Sequence, residues 1–258
     1  MSFEFDAEEV IRALKDYRDA CRSGKGSVIR QAPLEVLVRD LDLAAPISGG
    51  GLAGDRLAEF VRKYLDSTTR LHHPSYLAHQ VAVPHHAGAL GALIDGFTNN
   101  AMAIYEMGPG AASIEYFVLN WFLEKVGWRP PPLDGGHRGD GAWGGGVLTH
   151  GGSLANLTAL IAARSRACPE IWEEGNPGDL ALLAPEGCHY SIARAAGILG
   201  IGHQSVYPLE VDRRGVIVPD RLPAAFNRLR GDGKRAIALV ANACSTAVGL
   251  YDPLDEIG

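Results

Sequence analysis

The chain has 258 residues, 47% hydrophobic and 21% charged, a globular composition long enough to bury a sizeable core and neither disordered nor fibrous. A formal charge of -6, with basic residues spread thinly and no aromatic-basic stripe, argues against a surface that tracks nucleic-acid phosphates. No apolar run approaches the roughly 18 residues of a membrane span, and the acidic, amphipathic start lacks the basic and apolar regions of a secretory signal. A cytoplasmic protein with a small-molecule or protein partner is expected. Cys21, Cys168, Cys188 and Cys244 lack CxxC spacing, so reduced thiols are expected rather than a metal site or a disulfide framework.

In chain order, Phe5, Val10, Leu14 and Tyr17 recur at near-helical intervals over residues 4–20, and Leu57, Phe60, Val61 and Leu65 do so over 55–66. The Gly- and Pro-containing stretch 44–51 between them reads as a loop. From about 85 to 128 the pattern is helical again. Ala89, Leu90, Leu93, Ile94 and Phe97 form one stripe, and Ile114, Phe117, Val118, Trp121, Phe122 and Val126 another. The break falls at Tyr105-Glu106-Met107-Gly108-Pro109-Gly110. Residues 130–146 are turn-rich and expected to be exposed. Beyond 146, short apolar runs alternate with amphipathic helices. Strands are expected at 147–149, 180–184, 205–207 and 236–241, and helices at 153–166, 190–199 and 219–230. That alternation implies an α/β domain with a largely parallel sheet covered on both faces.

Ligands of such sheets bind outside the carboxyl ends of the strands. Three loops there are candidates. In His150-Gly151-Gly152-Ser153, two glycines allow close approach of a ligand, and the helix opening at Ser153 favours an anion such as phosphate. A tight turn with a serine N-cap accounts for the same residues. Pro185-Glu186-Gly187-Cys188-His189 presents a histidine for ring stacking or acid/base work, or an ordinary surface residue. Asn242-Ala243-Cys244-Ser245-Thr246 presents two hydroxyls, for a ligand or for simple turn chemistry.

Taken together, Leu71-His72-His73-Pro74-Ser75-Tyr76, Tyr105-Glu106-Met107-Gly108-Pro109, the run from Leu148 to Leu157, and Asn242 to Ile257 resemble the group II pyridoxal-phosphate-dependent amino-acid decarboxylases in order and spacing. The resemblance runs from about residue 70 to the end. It implies the α/β large domain of pyridoxal-phosphate fold type I, the aspartate-aminotransferase-like fold. A helical N-terminal segment, 1–84, would lie at a dimer interface, and 85–258 would be the first part of the cofactor-binding domain, with a C-terminal part missing. Carried over residue by residue, Gly152 and Ser153 would bind the phosphate of pyridoxal 5'-phosphate, and His189 would stack on its ring and serve catalysis. Thr246 would lie beside the cofactor, in a segment that departs from the family's usual Gly-Thr-Thr, and His79 would contact the substrate.

The implied reaction is decarboxylation of an L-amino acid to its amine and CO2. In the family, the Schiff-base lysine and the aspartate opposite the pyridine nitrogen follow the Asp-Pro-Leu-Asp-Glu-Ile segment. None of Lys15, Lys25, Lys63, Lys125 and Lys234 has the lysine's context. The lysine is therefore expected outside this chain, which alone would be inactive and would need a homodimer or a complementing chain carrying the C-terminal part. Another fold type I lyase and a non-catalytic partner subunit are the alternatives.

Overall fold

Two helical hairpin partners open the computed structural model, which describes residues 2–133 and 142–258, so the middle of the turn-rich 130–146 stretch lies outside the described residues. Helix α1 (Phe3–Arg22) starts where the Ser2 side chain accepts the N–H of Phe5, with Glu4 and Asp6 in the first turn and Arg22 in the last, charges that suit the helix dipole. It packs on α4 (Asp55–Ser67), and each helix buries a small residue, Ala13 in α1 and Ala58 in α4. The Asp6 carboxylate accepts the N–H of Gly54, the N-cap of α4, at 2.7 Å. At the other end the Tyr17 hydroxyl donates to the Thr69 carbonyl at 3.3 Å and accepts from the Thr68 hydroxyl at 3.1 Å.

Between them lie α2 (Leu34–Leu41) and α3 (Ala44–Ser48). The short α3 corrects the expectation of a loop over 44–51. Pro46 falls in its first turn, where a helix needs no N–H, and Gly49 to Gly51 end it. The next helix, α5 (His86–Thr98), is exposed along its whole length, its apolar stripe included. Packing divides the chain into Met1–Asn99 and Asn100–Gly258. The boundary expected from sequence, between 84 and 85, lies just ahead of α5.

The second unit begins with a 3-10 turn (Tyr105–Met107) and α6 (Pro109–Lys125). It continues through α7 (Gly152–Ala167), α8 (Ile171–Glu174), β1 (Leu180–Pro185), α9 (Ser191–Ile198), β2 (Val206–Leu209), α10 (Leu222–Gly231), β3 (Arg235–Leu239) and α11 (Leu254–Ile257). The strands form a parallel sheet in the order β2-β1-β3, as the alternation of strand and helix requires. Central β1 is buried at every residue. Its side chains alternate between two cores. Leu182 and Ala184 face Leu160 of α7 and Ile192, Ala195 and Ala196 of α9. Ala181 and Leu183 face Tyr207, Leu209, Ile217 and Leu229. Each buried leucine contributes about 1.5–3 kcal/mol relative to exposure.

The strand expected at Val147-Leu148-Thr149 does not form among the described residues. Strand backbone needs a neighbour for its ladder, and here the Leu148 N–H donates instead to the Glu115 carboxylate at 3.1 Å. Residues 203–205 form a 3-10 turn, so β2 starts one residue later than expected. Among the described residues no helix is long and apolar enough to cross a membrane.

Candidate functional site

Leu183 of β1 pairs with Leu239 of β3, so the two strands end side by side and the loops after them leave the same edge of the sheet. A concavity of about 580 Å³ lies there. Its lining brings together Gly152, Ser153, His189 and Thr246, four of the five residues singled out by sequence. His79, the fifth, belongs to the first unit, where it is exposed and has a left-handed backbone, φ 57°.

Gly151 caps α7 with φ 95°, a conformation that favours glycine. The N–H groups of Leu154 and Ala155 both return to its carbonyl at 3.2 Å. Those of Gly152 and Ser153 precede them, where a helix has no carbonyl to offer. No side chain caps the helix. The serine N-cap considered from sequence is therefore replaced by a glycine cap, with Ser153 inside the first turn, and the donors stay open toward the cavity. A Cβ built on Gly151 or Gly152 would meet nothing within 4 Å. Among the described residues, no carboxylate, lysine or arginine lines the cavity.

His189 is half-buried ahead of α9, its ring against that of Tyr190 with centroids 4.1 Å apart. Its Nδ1 lies 2.9 Å from Ser191 Oγ and accepts the Ser191 N–H at 3.3 Å. Asn156, on α7, donates from Nδ2 to the same hydroxyl at 2.8 Å. The neighbouring Cys188 is not set up as a nucleophile, because burial pushes its thiol up and keeps it protonated.

The loop after β3 is held by Asp252. That buried carboxylate accepts the N–H of Asn242 at 2.6 Å and its side-chain amide at 3.1 Å on one oxygen, and the N–H of Ile217 at 2.9 Å on the other. Ser245 closes its own turn, its N–H donating to the Leu250 carbonyl at 2.7 Å and its hydroxyl accepting the Leu250 N–H at 3.2 Å. It does not line the cavity, whereas Cys244 and Thr246 beside it do.

Sequence reasoning missed Asn156, Ser191 and Asp252. Asn156 lies one turn after Ser153, where a capping box would want Glu or Gln, and Ser191 lies two residues past His189. None of the five lysines lines the cavity. Lys63 pairs with Glu59 at 2.9 Å, Lys125 lies over the Trp121 ring, and Lys234 donates to the Gly178 carbonyl.

The model of the pyridoxal-dependent decarboxylase conserved domain matches residues 36–258. Mouse acidic amino acid decarboxylase GADL1 is 31% identical over 252 residues, covering 97% of this chain and 42% of that protein. Rat cysteine sulfinic acid decarboxylase is 28% identical over 225 residues, covering 86% and 43%. A crystal structure of mouse CSAD superposes with a TM-score of 0.83 at 26% identity, covering 98% of this chain and 52% of that one. The chain thus spans less than half the length of these two relatives. The motif order, the fold and the family match agree: the chain belongs to the pyridoxal-dependent decarboxylase family, and pyridoxal 5'-phosphate is the cofactor that goes with it.

Proposed function

We propose that this chain holds pyridoxal 5'-phosphate by its phosphate and its ring within an enzyme that decarboxylates an L-amino acid to its amine and CO2. The observation that carries the reading is the convergence of Gly152, Ser153, His189 and Thr246 on one cavity at the carboxyl edge of the sheet. The uncapped start of α7 fits a phosphate dianion, because its open N–H donors and dipole favour negative charge. The flat ring of His189 suits contact with a heteroaromatic ring and holds a proton at the site. Thr246 lines the cavity wall. When bound, the cofactor supplies the electron sink for loss of the α-carboxylate.

The Schiff-base lysine belongs outside this chain, in keeping with a cavity lined by none of its five lysines. The helical segment 1–84 lies at a homodimer interface, or against a complementing chain carrying the C-terminal part, and 85–258 is the first part of the cofactor domain. Exposed Ile11, Leu14, Leu34, Val38 and Ile47 support an interface there. His79 contributes a substrate contact. Four unpaired cysteines accord with a cytoplasmic setting.

The test is CO2 and amine release by the full-length protein, loaded with pyridoxal 5'-phosphate and offered a panel of L-amino acids that includes aspartate, glutamate and cysteine sulfinate. His189→Ala is expected to cut that release at least about 100-fold, the scale of a lost acid/base group. Cofactor uptake with no CO2 from any amino acid would sink the decarboxylase reading. The absence of a cavity lysine favours one second reading, a non-catalytic partner subunit, and that reading predicts no loss of activity in His189→Ala.

A further inference from the structure

We propose that Ser191, backed by Asn156, is a positioning residue that fixes which ring nitrogen of His189 carries the proton. The inference rests on the reading of His189 as the cofactor's ring partner.

The Ser191 N–H points at His189 Nδ1 at 3.3 Å, and a backbone N–H only donates. That contact requires a bare lone pair on Nδ1. The Ser191 hydroxyl lies 2.9 Å from the same nitrogen. On its other side the hydroxyl accepts from the Asn156 amide at 2.8 Å, which leaves its own proton for Nδ1. The assignment does not depend on the orientation chosen for the Asn156 amide, because the opposite orientation would call for a proton on Nδ1, directed against the Ser191 N–H. Ser191 is 2% exposed, so water is not at hand to replace either donor. Two donors therefore converge on Nδ1, and the neutral ring carries its proton on Nε2.

Two consequences follow for the site. Ser191 begins α9, where a helix leaves its first N–H groups without partners, and His189 satisfies one of them. The ring is thereby tied to the helix start, with Tyr190 against it 4.1 Å away. Nδ1 is withdrawn from proton exchange, so a neutral His189 donates from Nε2 alone. A histidine in this position then acts as a one-ended donor.

The experiment is nitrogen NMR of the full-length protein labelled with 15N-histidine, at alkaline pH where ordinary histidine rings are neutral. Protonated and bare ring nitrogens differ widely in chemical shift, and the His189 signal is identified by its loss in His189→Gln. The wild-type ring is expected to be protonated on Nε2 and bare on Nδ1. Ser191→Ala removes one of the two donors and lowers the Nε2–H to Nδ1–H ratio by about three- to tenfold, the value of one hydrogen bond. Ser191→Thr keeps the hydroxyl and the wild-type ratio. Asn156→Asp exchanges a donor for an acceptor, draws the Ser191 proton away and lowers the ratio, an effect that loss of packing alone does not produce. A wild-type ring protonated on Nδ1 overturns the proposal. So does a wild-type ratio in Ser191→Ala with native circular dichroism, or, where that variant does not fold, in Asn156→Asp. Cofactor uptake, followed separately by the absorbance of added pyridoxal 5'-phosphate, keeps the two readings apart. No uptake with an Nε2–H ring overturns the function and spares the role of Ser191, and uptake with an Nδ1–H ring does the reverse.

Discussion

β1 and α5 are both mainly apolar segments, and they meet opposite fates. All six residues of β1 are buried between two cores that belong to the same unit. All thirteen residues of α5 are exposed, with Leu90 at 53%, Ile94 at 62% and Phe97 at 67%. An apolar pattern says that a surface favours cover, through the cost of hydrating it. It does not say which atoms provide the cover. The strand is closed by helices on either side of it in sequence, whereas the helix meets little of its own unit beyond the Phe3 ring, 4.8 Å from that of Phe97.

The largest expected effect sets these two against each other. Leu182→Ala opens a cavity among Leu160, Ile192 and Ala195 and is expected to cost about 2–5 kcal/mol in urea unfolding. Ile94→Ala on α5, at a position 62% exposed, is expected to stay within about 0.5 kcal/mol. Equal losses at the two positions in the full-length protein would mean that α5 is covered there, and the contrast would then mark an interface.

A polar brace belongs to the closed side. Asp252→Ala leaves the N–H groups of Asn242 and Ile217 without their shared acceptor, and the Ile217 N–H is buried. A loss of about 2–4 kcal/mol is expected, since hydrogen bonds to a charged group are worth more than neutral ones and the orphaned donors add their own penalty. Weaker uptake of pyridoxal 5'-phosphate should accompany it, because Thr246 sits on the loop that Asn242 begins. A stable variant with unchanged uptake would separate the brace from the cavity.

What was legible from the residues follows the same division. Helix α7 was expected at 153–166 and occupies Gly152–Ala167, and β1 was expected at 180–184 and occupies Leu180–Pro185, because local periodicity encodes both. Periodicity placed the cavity loops at the carboxyl ends of expected strands, and motif resemblance then gave their residues roles. Asn156 and Asp252 carry no local signal, since their partners lie 35 or 10 residues away and pair only after folding, while Ser191 shows only its nearness to His189. The failed strand at 147–149 makes the converse point: its apolar run is strand-like, but a strand needs a neighbour, and Leu148 turns to a side chain instead.

Two cysteines near the cavity extend the contrast from stability to reactivity. Cys244 is exposed on the cavity wall, while Cys188 is half-buried and its thiol is pushed up by burial. Half-buried and held protonated by burial, Cys188 should react more slowly with iodoacetamide than the exposed Cys244. Peptide mapping by mass spectrometry reads both rates. Pyridoxal 5'-phosphate is expected to slow Cys244. Faster labelling of Cys188 at neutral pH would show that the loop ahead of α9 is open rather than closed.

The smallest effect lies at the outer end of the brace, in the turn that delivers Ile217 to Asp252. The N–H of Val216 at 3.0 Å and that of Arg214 at 2.8 Å both donate to the Asp212 carboxylate. The Val216 bond above all, then those from Arg214, hold its pKa below the usual carboxylate range. A lowered carboxylate stabilises the folded state fully above the unfolded value, near about 3.9, and ceases to do so as the pH falls through the lowered value. Asp212→Ala should therefore reduce the urea midpoint slightly at neutral pH and leave a difference from wild type that shrinks on acidification. Because Asp212 is exposed, the step is small. No difference from wild type at any pH would mean that the turn is held by its Val211–Ile217 bridge and the Asp212 backbone alone, leaving the brace on Asp252 independent of the carboxylate beneath it.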